Sequence, residues 1–91
     1  MNTPPSSDDL FQFPCDFPIK ILGRRVDDFA QTVLSLVLLH APDFDPATIE
    51  MRVSQAGHYI SVTCTIRAVS RQQLDDLYRA LSGHPAVAMV L

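Results

Sequence analysis

Ninety-one residues suffice for one small domain, which excludes a separate cofactor domain, a doubly wound nucleotide fold and a β/α barrel. At 47% hydrophobic and 19% charged the chain is too apolar to be disordered throughout. The formal charge of −3 resides in the first sixteen residues, where Asp8, Asp9 and Asp16 are the only charged side chains; Phe17 to Leu91 holds seven acids and seven bases. A domain without net positive charge is a poor starting point for gripping a phosphate backbone, so nucleic acid is not an expected partner.

Residues 1–16 hold Pro4, Pro5 and Pro14 with Ser6, Ser7, Asp8 and Asp9, and read as a flexible acidic arm whose Leu10, Phe11 and Phe13 can dock its end onto the domain. The folded part is expected over 17–91. Phe17, Ile19 and Ile21 alternate with Pro18, Lys20 and Leu22 and predict a first strand ending at Gly23. Val26, Phe29, Ala30, Val33, Val37 and His40 then recur at helical spacing, with Asp27 and Asp28 at the start and Pro42 as the stop. Leu34, Leu38 and Leu39 widen this helix's apolar stripe enough to offer surface to a neighbouring subunit or to the arm.

After the loop 41–47, Ile49, Met51 and Val53 alternate with polar neighbours. After Gln55-Ala56-Gly57, so do Ile60, Val62, Cys64, Ile66 and Ala68, which together predict a hairpin of two strands. Ser70-Arg71-Gln72-Gln73 has the form of a capping box, and Leu74, Leu77, Tyr78 and Leu81 follow at helical spacing. Gly83 stands where a left-handed helix end is expected, Pro85 follows, and 86–91 completes a last strand.

The order βαββαβ with right-handed crossovers has one economical solution, an α+β ferredoxin-like fold with a four-stranded antiparallel sheet and both helices on one face. Alternation assigns Ile19, Ile21, Ile49, Met51, Val53, Ile60, Val62, Cys64, Ile66, Val87, Met89 and Leu91 to the covered face. Lys20, Glu50, Arg52, Ser54, Tyr59, Ser61, Thr63, Thr65, Arg67, Ala88 and Val90 fall on the open one.

Catalytic motifs are absent: no phosphate loop, GxSxG or HExxH occurs, and the pairs Asp27-Asp28 and Asp75-Asp76 diverge by about 100° on a helix. His40, His58 and His84 lack a spacing that converges on a metal, and Cys15 and Cys64, 49 positions apart, form no zinc motif or disulfide framework. Neither cofactor nor metal is expected, and the protein is not expected to be an enzyme. The amino terminus lacks a basic and an apolar segment of the secretory kind, and no apolar run approaches the ~20 residues of a bilayer span. The expectation is a cytoplasmic protein with reduced thiols and no membrane contact.

Two places can carry binding. One is the turn Gly23-Arg24-Arg25 beside a helix start, suited to an anion. The other is the open face, with Arg52, Tyr59, Ser61, Thr63 and Arg67 as its candidates. The same face in RNA-recognition domains stacks bases on aromatics; with one aromatic here and no RNP consensus, RNA binding is the alternative reading.

The runs Phe17 to Gly23, Gly57 to Ile66, Gln73 through Leu81 and His84 to Leu91 together resemble the YbeD-like family of small bacterial proteins of unknown function, over roughly residues 13 to 91. The resemblance implies a fold like the ACT regulatory domain, which binds small effectors near the turn after the first strand, often at a paired interface. A small effector, a protein partner and a homodimer are therefore the expected partners. It also implies a genetic neighbourhood with lipoate attachment. Ala88 replaces the family's usual base before Met-Val-Leu, and Ser54-Gln55 its frequent serine pair.

Overall fold

A computed structural model describes residues 12–91. The elements run β1 (Cys15–Arg24), α1 (Phe29–His40), β2 (Glu50–Val53), β3 (Tyr59–Ala68), α2 (Arg71–Ser82) and β4 (Val87–Val90), with a single 3-10 turn at Pro46–Thr48. The strands form one antiparallel sheet in the order β2-β3-β1-β4. This is the expected ferredoxin-like arrangement. β1 begins at Cys15, so the last two residues of the expected arm belong to the sheet; the proposed flexibility and docking of residues 1–11 lie outside the described residues. Phe13 is partly buried against the core.

β1 and β3 pair along their whole length, Cys15 opposite Ala68 through Arg24 opposite Tyr59. Lys20 exchanges both backbone bonds with Leu91, so β1 directs the amides of its even-numbered residues toward β4. Pro18 points the same way, beyond the end of β4 at Leu91, where a missing N–H breaks no ladder bond. A proline is thus compatible with a central strand.

The core lies between sheet and helices. Ile19, Ile21, Val62, Cys64 and Ile66 from the sheet meet Phe29, Val33, Val37, Leu74, Leu77 and Leu81 from the helices, all of them buried. Burying each such aliphatic or aromatic side chain contributes about 1.5–3 kcal/mol. Gly23 lies in this core as well: a Cβ there would meet the ring of Phe29 and stand 2.5 Å from the Ala86 carbonyl oxygen.

α2 is capped as expected. The Ser70 hydroxyl accepts from Gln73 N–H at 3.1 Å, and the Gln73 amide oxygen accepts from Val69 N–H at 2.7 Å. The Gln73 amide nitrogen donates to the His40 carbonyl at 3.0 Å, so one side chain caps the start of α2 and satisfies the end of α1. Gly83, expected in a left-handed conformation, is right-handed at φ −82° and closes the helix by donating to Arg79.

Three face assignments are corrected at the carboxyl end. The β1–β4 register shifts between Leu22 and Gly23: Gly23 faces Val87, whereas Leu22 faces Met89 and Ile21 faces Val90. The extra residue, Ala88, forms a bulge that reverses the alternation after it. Val90 therefore turns toward the core, Met89 joins the open face at 54% exposure, and Leu91, opposite Lys20, follows it. On β2, Met51 and Val53 do lie on the helix side, opposite Val62 and Ile60, but the helices stop short of this edge and Met51 is 58% exposed.

Tyr78 joins distant parts of the resemblance: its ring meets Phe17 edge-on at 6.5 Å, and its hydroxyl donates to the Leu91 carbonyl at 3.3 Å. Burial pushes its pKa up. Leu34 and Leu38 pack partly against the core and leave Leu39 exposed on α1.

Candidate functional site

Register fixes where the open-face side chains stand. Across the sheet, Glu50, Thr63, Lys20 and Leu91 form one row, and Arg52, Ser61, Leu22 and Met89 the next. A third row, at the hairpin end, joins Ser54, Tyr59 and Arg24: Ser54 N–H donates to the Tyr59 carbonyl at 2.9 Å, and its hydroxyl accepts from Tyr59 N–H at 3.1 Å. The Ser61 hydroxyl, 3.5 Å from the Arg52 carbonyl, makes only a marginal contact.

Arg67 is not part of this group. It faces Asp16 at the other end of β3, eight residues from Tyr59 or about 27 Å at about 3.4 Å per residue. A ligand small enough for one row cannot reach both. Gly23 also leaves the site, because it is buried under Phe29 and serves close packing. What the structure brings together from the candidates is Arg24, Arg25 and Tyr59 at one corner, with Arg52, Ser61 and Thr63 in the rows beside it.

Other residues that line these hollows are not among the candidates. Gly57 and His58 line the corner hollow with Arg24, Arg25, Val26 and Tyr59, and Leu22 lines the neighbouring one. The signal was available: an antiparallel β1–β3 pair must place the β1–α1 turn beside the β2–β3 hairpin.

Charge is sorted between the faces. All seven bases lie among the described residues, and the only ion pairs there, Arg71–Asp75 at 3.3 Å and Arg79–Asp76 at 3.8 Å, are both on α2. The other five bases, Lys20, Arg24, Arg25, Arg52 and Arg67, stand on the open face or at its turn; the acids of the strands are Asp16 and Glu50. Asp27, Asp28, Asp43, Asp45, Asp75 and Asp76 belong to the helices and their connecting loops. A domain neutral in sum thus carries five of its seven bases on the sheet face and its turn, with Asp27 and Asp28 in that same turn.

Cys64 is fully buried, and burial pushes its thiol from 9.0 up to about 11, so it is protonated and unreactive at neutral pH. It faces Ile19 while Cys15 faces Ala68, four positions away along the strands, so the two thiols are free. His84 uses Nδ1 to accept from Ala86 N–H at 3.1 Å. Among the described residues no group of three His, Cys, Asp or Glu could hold a metal ion, and no helix is long and apolar enough to cross a membrane.

The order and pairing of the elements define a ferredoxin-like fold, and solved structures agree. The chain matches the ACT domain from GTP pyrophosphokinase of Chlorobium tepidum with TM-score 0.62 at 18% identity, covering 84% of each chain. It matches a Helicobacter pylori protein solved in solution with TM-score 0.68 at 11% identity, covering 99% of this chain and 98% of that one. The chain belongs to the DUF493 family of proteins of unknown function, whose model matches residues 8–91. Its relatives include the UPF0250 proteins of Bordetella pertussis, 52% identical over the full length of both chains, and of Nitrosomonas europaea, 55% identical over 94% of this chain and 99% of that one.

Proposed function

We propose that the protein is a non-catalytic regulatory or interaction module of the cytoplasm, which binds a small effector or a protein partner through the helix-free face and its hairpin corner. The observation that carries this reading is the set of unpaired bases, Lys20, Arg24, Arg25 and Arg52, on the face the helices leave uncovered and at its adjoining turn. Unpaired guanidiniums held within one surface raise the local potential and favour an anionic or acidic counterpart. The ACT-like fold supports an effector role, since one structural neighbour is itself the ACT domain of a GTP pyrophosphokinase. A functional tie to lipoate attachment rests on the family resemblance alone.

A thermal-shift screen of metabolites tests the reading. A ligand present at a hundredfold its Kd adds about 2.7 kcal/mol to the native state and raises the melting temperature. The expected result is at least one such ligand, and loss of its effect in an Arg24→Gln/Arg25→Gln/Arg52→Gln variant that melts like the wild type without ligand. Turnover of any substrate that depends on Cys64 or a histidine would overturn the non-catalytic assignment.

The basic face also serves the alternative, RNA binding, but Tyr59 is its single aromatic and Arg67 stands far from it. RNA affinity that falls steeply with salt and vanishes in Tyr59→Ala is the outcome that would select it.

A further inference from the structure

The corner where the β1–α1 turn meets the β2–β3 hairpin is built more tightly than either loop alone. Arg25 N–H donates to the His58 carbonyl at 2.9 Å and carries the β1–β3 pairing one step past the Arg24–Tyr59 pair. Two connections that are far apart in sequence are thereby held at a fixed spacing. Gly57 turns the hairpin at φ +78°, and a Cβ on it would stand 3.6 Å from a guanidinium nitrogen of Arg25. The Arg25 head therefore lies over the glycine, on the wall of the hollow it shares with Arg24, His58 and Tyr59.

Neither arginine forms an ion pair, although Asp27 and Asp28 follow within four residues. Both line the same hollow, and neither guanidinium is engaged by a carboxylate. Each fork offers parallel N–H donors that match two oxygens of one anion. A single carboxylate occupies one fork, whereas a phosphoryl group with three terminal oxygens can engage both.

Tyr59 supplies the second half of the site. It is 51% exposed and forms the wall between the arginine hollow and a second one, where Leu22, Val53 and Ile60 stand with Lys20 and Arg52. A ligand seated on the arginines has an aromatic surface beside it, with apolar side chains beyond.

We propose that this corner binds a small phosphate ester bearing a planar ring, its phosphoryl group held by Arg24 and Arg25 and its ring on Tyr59. The proposal rests on the binding-module reading above and names the ligand class for one part of that face.

Phenyl phosphate, the smallest probe carrying both features, is titrated into the ¹⁵N-labelled full chain beside inorganic phosphate and a short single-stranded RNA. The expected result is saturable shifts centred on Arg25, Gly57, His58 and Tyr59, with phenyl phosphate bound about tenfold more tightly than phosphate. Arg24→Gln/Arg25→Gln, both exposed positions, costs at least about tenfold for either probe. Tyr59→Leu brings phenyl phosphate down to the level of phosphate. Shifts centred on Thr63 and Arg67, no binding, or equal binding by the double variant would overturn the site. So would RNA binding that runs the length of β3 and exceeds that of the small probes, since it would mark the face as a polymer track. If the phosphates fail while a screened metabolite still binds the face, the ligand class falls and the binding-module reading stands.

Discussion

The two faces of the sheet obey different rules although they come from the same strands. On the helix side Ile19, Ile21, Val62, Cys64 and Ile66 are fully buried, and none of the buried residues among those described is charged. On the other side the same strands carry Lys20, Arg24, Arg52 and Arg67, all exposed. The first set is dictated by packing density, where a methylene too many or too few is felt. The second is free of that constraint, so its composition reports on something other than folding. Had solvation been the only demand, acids and bases would serve equally, and charges of both signs would mix. On the open face and its turn the bases outnumber the acids of the strands, five against Asp16 and Glu50, and the binding-module proposal draws on that excess.

The sharpest way to break the covered side is Gly23→Ala. The new methyl would need space now held by the Phe29 ring and would stand 2.5 Å from the Ala86 carbonyl oxygen, a backbone atom that cannot swing away. Overpacking of this kind typically costs about 1–3 kcal/mol and more where the backbone must move, so the variant is expected to lose at least about 3 kcal/mol in urea denaturation. A Gly23→Ala protein with wild-type stability would show that Phe29 and the start of β4 are loosely held.

That glycine marks a limit of the sequence reading. Gly23 was legible as the end of a strand and as part of a turn, and its place beside two arginines suggested a ligand contact. Its actual work, admitting Phe29 against the backbone before β4, depends on elements more than sixty positions apart. The order of elements, the cap at Ser70 and the alternation of β3 were written locally and came through. The reversal at Met89 and Val90 was not, because a bulge at Ala88 carries no local signature without glycine or proline. The exposure of Met51 depends on how far the helices reach across the sheet, which the periodicity of β2 alone leaves open. The basic side, by contrast, is readable: alternation alone places Lys20, Arg52 and Arg67 on the open face, although the charge summed over the domain is neutral.

A second test uses pH and separates the faces by desolvation. Cys64 ionises at 9.0 when exposed and at about 11 when folded, because burial disfavours the thiolate. The folded chain therefore holds its proton where the unfolded chain has released it. The contribution is complete below pH 9 and declines as pH rises through 11, for a total of about 2–3 kcal/mol. Tyr78, also raised by burial, adds to the loss above its ordinary range. Comparing stability between pH 8.5 and 11 in the wild type and in Cys64→Ala isolates the thiol, since the variant retains only the Tyr78 part. Parallel curves would mean that Cys64 is solvated in solution.

The smallest expected effect is on the open side, and it discriminates best between the two readings of that face. Lys20 and Arg52 have no ion-pair partner, and their neighbours Thr63 and Ser61 pair across the sheet mainly through the backbone. Replacing either base by Gln removes charge but no packing, so the denaturation midpoint is expected to move by less than the equivalent of about 0.5 kcal/mol. If the bases repel one another without a bound counterpart, the shift is toward greater stability, and it shrinks as salt is raised from 20 mM toward about 150 mM, where the screening length falls to about 8 Å. A gain that persists in high salt would trace to strand propensity rather than charge. A loss of 1 kcal/mol or more would mean that these side chains hold β2 to β3, and the sorting of charge would then serve the fold itself.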